Sequence, residues 1–269
     1  MLQEIAERIK ALPLLPNSFH DINVACNQSD ASIHDLVRII EKDPMLVANL
    51  VRIANSPLYG FHKQIKSVLQ TVSLFGVATT RSLIADMSIK KLLSVDLAPY
   101  NVTPEFFAHI SELQSRLIKQ WYASVDASKV EILFLSALLQ ESGKILIAGE
   151  VVKNNEIYQF KSELQNSFNV ATVEKMFVGV SSAEVTTYIF QHWKFNTTMV
   201  EAIRFSDNYE AAPEAIRPYA LALKVVKTAI PLNAPLSERS ITLALNIVEK
   251  EGLDTALFRE AIETISQHA

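Results

Sequence analysis

Apolar residues recur every three or four positions along almost the whole chain, the spacing of one buried face of an α-helix. Leu2, Ile5 and Ile9 stripe a first helix that Pro13 and Pro16 close, and Phe19, Ile22 and Cys26 stripe a second. Ile33, Leu36, Val37 and Ile40 form the apolar face of a third, which Ser32 can cap while Asp35 bonds back to the cap. In "DPMLVANLVRIANS" Asp43 can accept from the orphan amides of a fourth helix, and Pro44 occupies the first turn, where it loses no bond. "SPLYG" breaks the pattern. Helices resume near Ser67, Gly76 ends one of them, and a longer one follows over about Val77–Leu93.

The segment "SVDLAPYNV" loses helical periodicity and carries Pro99, which makes it the best lobe boundary. Thr103, Pro104 and Glu105 then open a helix with a cap, a first-turn proline and an acid that suits the helix dipole. Ser128 and Glu131 have the spacing of a capping box ahead of "ILFLSALL". Further helices are predicted over about Asn155–Ser167, Ala171–Phe177, Ser182–Trp193, Thr197–Phe205, Ala215–Ile230, Ser237–Glu251 and Asp254–Gln267. In the last, Leu253 and Phe258 straddle the Asp254 cap as a hydrophobic staple. No segment reads as a strand and no repeat of fixed period occurs. The prediction is an all-α, two-lobed helical bundle. Its N-terminal lobe covers residues 1–94, its main bundle 103–210, and its C-terminal helices 211–269.

Composition supports this. Of 269 residues 49% are hydrophobic and 20% charged, which excludes a disordered chain, and six glycines are too few for many tight hairpins. The net charge of −4 argues against a protein that coats nucleic acid. Charge is uneven: residues 1–94 carry 10 basic and 8 acidic side chains, residues 95–210 carry 9 and 14. The single cysteine, Cys26, excludes an intrachain disulfide and fits a reducing compartment. With no signal-peptide core and no long pure apolar run, the expectation is a cytoplasmic protein without a membrane segment.

Candidate chemistry is sparse. His20, His34, His62, His109, His192 and His268 include no pair at i, i+4 and no His-Asp doublet, so they read more simply as exposed or hydrogen-bonded histidines than as metal ligands. Cys26 lies on an apolar stripe and reads as a buried thiol. No GxSxG elbow, P-loop or GxGxxG occurs. Glu141 and Asp207 could do acid/base work, although carboxylates at helix ends are commonly solvated. In the first lobe the loop "PLYGFHKQIK" interleaves Tyr59 and Phe61 with Lys63 and Lys66, and Arg52 precedes it. It reads as a candidate interaction surface or, more plainly, as a charged face beside two internal anchors.

The combination of "EKDPMLVANLVRIANSPLYG" with "LFGVATTRSLI", then "FFAHIS", "LSALLQESGKILI", "SSAEV" and "RFSDN", strongly resembles an HDOD domain over about residues 10–210. HDOD domains are output domains related to HD-type metal-dependent phosphohydrolases. The resemblance implies an all-helical fold and a role in bacterial signalling. It also implies a lost metal site. The histidine–aspartate doublet of active relatives falls at Gln140 and Glu141, an early histidine at His109, a later one at Ser182, and a histidine pair near Asp207. An amide and a hydroxyl are poor ligands for transition metals. The expectation is therefore no catalytic residue, metal or cofactor, and a regulatory or scaffold protein that contacts other signalling proteins.

In this reading Gln140 and Glu141 end one helix and Gly143 allows a turn into the next. The corner can bind neighbouring helices, or a small polar or nucleotide ligand, but nothing in the sequence demands a ligand. A residual phosphohydrolase using His109, Glu141 and Asp207 is the first alternative. A nucleotide or nucleic-acid binding module using Arg52, Lys63 and Lys66 is the second. Partner, stimulus and oligomeric state stay open.

Overall fold

The protein was analysed as a computed structural model, which describes residues 2–12, 22, 32–56, 59, 64–92, 96–167 and 169–267. No β-strand occurs among the described residues. The chain divides into two compact units: Pro13–Leu92 with Gln267–Ala269, and Met1–Leu12 with Leu93–Ser266.

In the first unit, helices α2 (Ile33–Ile40) and α3 (Pro44–Ala54) both pack on α4 (Val68–Leu92). Three of the four positions of the forecast stripe are buried, Leu36, Val37 and Ile40 of α2, which lie inside with Leu50, Val72 and Ile84, whereas Ile33 in the first turn is exposed. Ser32 caps α2 by accepting from the Asp35 amide, and its hydroxyl donates to the Asp35 carboxylate at 2.7 Å. Asp43 accepts from the Leu46 amide at 3.1 Å. At Gly76 φ is +80°, and there α4 breaks its helical path, as the glycine predicted. Asn55 fastens the far end of α3: its amide donates to the Ile65 carbonyl and its carbonyl accepts from the Ile65 amide, both at 2.8 Å. The predicted helix through Phe19 and Cys26 falls outside the described residues apart from Ile22, which is buried.

The second unit holds α1 (Leu2–Lys10), α5 (Pro104–Val125), α6 (Val130–Leu139), α7 (Gly143–Lys153), α8 (Ile157–Asn166) and α9 (Val170–Val178). It continues through α10 (Ser182–His192), α11 (Thr197–Arg204), α12 (Arg217–Ala229), α13 (Glu238–Lys250) and α14 (Thr255–Ser266). Thr103 caps α5 and Asp254 caps α14 as forecast. Trp121 of α5 meets Phe258 of α14 edge-on, with ring centroids 4.7 Å apart. Both rings are fully buried, worth roughly 1.5–3 kcal/mol each.

Two expectations change. The Ser128–Glu131 capping box does not form. Asp126 instead caps a short 3-10 turn at Ala127–Lys129, accepting from the Ser128 amide and hydroxyl and pairing with Lys129. A carboxylate two residues upstream captures the donors before the box can close. The second change concerns α1, which was grouped with the N-terminal lobe but packs on α10 within the second unit. Arg8 donates to the fully buried Glu150 at 2.5 Å. Gly149 leaves the space, since a Cβ there would lie 2.9 Å from the Arg8 guanidinium.

By length and mean hydropathy, Val68–Met87 and Ala127–Lys153 reach the threshold of a membrane span. The most apolar 18-residue stretch of the second is 83% buried, and the segment is interrupted at residues 140–142, as befits a pair of core helices.

Candidate functional site

The α6–α7 corner builds the site. Helix α6 ends at Leu139, residues 140–142 turn, and α7 begins at Gly143. The turn needs no left-handed residue. Gly143 is required for close approach instead: a Cβ would lie 2.2 Å from the Ser182 carbonyl and 2.9 Å from the Thr186 amide. The Gly143 amide donates to Thr186 Oγ1 at 2.8 Å, and that hydroxyl lies within bonding reach of the Ser182 and Gln140 carbonyls. Thr186 thereby splices α10 to the corner.

Gln140 and Glu141 point into the interior, 0% and 2% exposed. Gln140 Nε2 donates to Gln114 Oε1 at 2.7 Å. Gln114 Nε2 in turn donates to Glu141 Oε1 at 3.2 Å and to the Ile230 carbonyl at 2.9 Å. The amide at Gln140 therefore ties the corner to α5.

Lys144, one turn beyond, is itself buried and stands among oxygens. Its Nζ lies 2.9 Å from Glu141 Oε2, 3.0 Å from Glu174 Oε1 and 2.7 Å from Ser182 Oγ. Glu174 also accepts from the Ser182 amide at 2.6 Å and from the Tyr100 hydroxyl at 3.0 Å. Ser182 is held in place because Ser181 and Glu184 close a full capping box at the start of α10. A second pair lies nearby: Lys227 of α12 donates to Asp207 at 2.9 Å.

Electrostatics follow from these pairs. Burial pushes Glu141 up, but the ammoniums of Lys144 and Lys227 outweigh it and hold the carboxyl below its ordinary value. Burial likewise works against the charge of Lys144, yet Glu141 and Glu174 hold it above the normal lysine value. Asp207, despite burial, is drawn down to about 2, chiefly by Lys227. Lys224, one turn before Lys227, goes the other way: burial and then Lys227 push its ammonium below normal.

Of the positions singled out in the sequence, Glu141, Ser182 and Asp207 line one cavity of about 630 Å³, and Gln140 does not line it. His109 does not line it. The His109 ring lies on α5 against Phe106, with centroids 6.4 Å apart, and burial with the nearby Arg116 lowers its pKa. In the first unit Arg52 and Lys66 are exposed, and Tyr59 packs on Phe75 with ring centroids 4.7 Å apart, as an internal anchor does. Phe61 and Lys63 lie outside the described residues.

Sequence reasoning missed Lys144, Glu174, Gln114 and Lys227 as members of the site. A signal existed for two of them. Lys144 follows the degenerate doublet at one helical turn, and Glu174 sits on the face of α9 that buries Val173 and Val178.

A metal of the HD type does not fit these residues. The places that would offer imidazoles hold an amide committed to Gln114 and a hydroxyl committed to Lys144. Three buried acceptors lack a hydrogen-bond donor, Gln140 Oε1, Glu141 Oε2 and Asp207 Oδ2, but Glu141 Oε2 already faces the Lys144 ammonium. A divalent cation at these oxygens would meet fixed positive charge. Among the described residues no three His, Cys, Asp or Glu side chains converge as a metal site.

Comparison with known proteins places the chain. An uncharacterized protein of Treponema pallidum (strain Nichols) is 24% identical over 217 residues, 80% of this chain and 41% of that protein. The chain thus spans about two fifths of the length of the curated relative it matches. The fold is shared with an HDOD domain protein of unknown function from Geobacter sulfurreducens, at 20% identity, TM-score 0.68, and 100% and 98% coverage of the two chains. It is also shared with a proposed phosphohydrolase of Shewanella amazonensis SB2B, at 20% identity, TM-score 0.69, and 98% coverage of both chains. The HDOD domain profile matches residues 12–209, and the chain therefore belongs to the HDOD domain family.

Proposed function

We propose that the protein is a non-catalytic regulatory or scaffold component of bacterial signal transduction that works through contact with other signalling proteins. One observation carries the non-catalytic part. The Lys144 ammonium stands 2.9–3.0 Å from Glu141 and Glu174, so the carboxylate that the resemblance aligns with a metal-binding aspartate is already neutralised. A permanent internal cation supports the corner mechanically. It offers neither an open coordination position nor an activated water. Gln140 serves the same end by tying α5 to the corner.

The alternative, a metal-dependent phosphohydrolase using His109, Glu141 and Asp207, finds less support, because His109 does not line the cavity that the two carboxylates share. Phosphodiester and phosphomonoester hydrolysis with added Mn²⁺, Fe²⁺ or Zn²⁺ tests the proposal. The expected outcome is no turnover above a Glu141→Gln control. Metal-stimulated turnover that this substitution abolishes would contradict it.

A further inference from the structure

The cavity of about 630 Å³ holds an excess of positive charge that the internal pairs do not use up. Its lining includes five cationic side chains: Lys144, Lys161, Lys224, Lys227 and Arg239. Only two carboxylates, Glu141 and Asp207, share that lining. Lys144 and Lys227 are matched by Glu141, Glu174 and Asp207. Among the described residues, Lys161 reaches only the Asn101 side-chain oxygen, at 3.5 Å. The Lys224 ammonium has no hydrogen bond or ion pair among the described residues, although it is half-buried.

Lys224 and Lys227 lie three residues apart on α12, an arrangement of like charges that costs helix stability unless something neutralises it. Residues 95–210, which supply much of this unit, carry 9 basic against 14 acidic side chains. A second depression, on the outer faces of α13 and α14, shows the contrast, with Glu238 and Glu249 against Arg259.

The rest of the lining mixes polar side chains, among them Asn101, Gln165 and Asn233, with apolar ones. Val170 and Leu243 line the same cavity yet are 37% and 49% exposed, so their faces are available to a ligand. The volume lies in the range of cavities that hold a small organic ligand, roughly 300–1,000 Å³. Two ammoniums without carboxylate partners match the charge of a phosphoryl dianion, and lysine binds such groups as a point charge.

We infer that this cavity binds an organic phosphate of about mononucleotide size. Lys161 and Lys224 hold its phosphoryl group, and its flat or apolar portion lies against Val170 and Leu243. The inference rests on the non-catalytic reading of the corner, since the ligand is held and released intact and no bond is broken.

Calorimetric titration of the full chain with AMP, and separately with inorganic phosphate, tests it, with product analysis of each mixture. AMP is expected to bind more tightly than phosphate and to lose affinity as salt rises. Lys224→Met is expected to weaken AMP at least tenfold while leaving the ligand-free melting temperature unchanged or higher. Lys224→Arg is expected to retain binding. Failure of both probes at millimolar concentration, AMP affinity indifferent to Lys224→Met, or phosphate binding as tightly as AMP would each overturn the inference. Hydrolysis of bound AMP would instead overturn the non-catalytic reading and leave the binding assignment standing.

Discussion

The floor and the wall of one cavity use the same residue types to opposite effect. On the floor, Lys144 is surrounded by Glu141, Glu174 and Ser182, each within 3.0 Å, and its charge is fully answered. On the wall, Lys224 has a lysine one turn away and, among the described residues, no carboxylate in contact. A matched buried cation is a structural fastener. An unmatched one in a cavity is poised for a ligand. Counting lysines along the sequence cannot separate the two, because the distinction lies in what α9, α10 and α12 bring beside each ammonium.

The sharpest way to break the contrast is to remove the fastener. Lys144→Met leaves Glu141 and Glu174 buried without their cation, and breaking a buried pair costs about 3–5 kcal/mol. Urea unfolding should show that loss, and Lys144→Met combined with Glu174→Gln should recover part of it. If Lys144→Met is neutral, the floor is not a fastener.

Next in size is Gly143→Ala. The new Cβ would strike the Ser182 carbonyl and Thr186, so α7 and α10 must separate, at about 1–3 kcal/mol for overpacking. The expected signature is a lower melting temperature. An unchanged one would mean that the two helices are not locked at this crossing.

The third effect is confined to acid pH. Asp207 ionises at about 2 in the fold against 3.8 as a free side chain. A depressed carboxyl stabilises the folded state above its unfolded value, and the stabilisation is lost as pH falls from about 4 to about 2, amounting to about 2 kcal/mol. Denaturation across that window should show Asp207→Asn flattening the loss. An equally steep loss in the variant would separate Asp207 from the Lys227 pairing.

Much of the architecture was legible because local rules and tertiary burial agree. The apolar face of α2, the caps at Ser32, Asp43, Thr103 and Asp254, and the break at Gly76 each depend on a few adjacent residues. The capping box at Ser128 failed because Asp126, just outside the pattern, offered a stronger acceptor. The packing partner of α1 was hidden because an amphipathic stripe says that a face is buried and not against what. For the site, the corner at Gln140 and Glu141 was singled out in sequence, and both side chains are buried there. The lysine that answers Glu141 was not singled out, since its role depends on Glu174, 30 residues away, and on Ser182, 38 away. Gly143 was read as a turn residue, whereas its reason is contact with another helix.

The central claim is that fixed ammonium groups stand where metal-dependent relatives place cations. It is tested most directly by the metal content of the purified, unmutated chain after gel filtration, with the melting temperature measured before and after EDTA. The account predicts less than stoichiometric manganese, iron or zinc and a melting temperature that EDTA does not move. One or two equivalents of metal retained through gel filtration, with a melting temperature that falls on chelation, would contradict it.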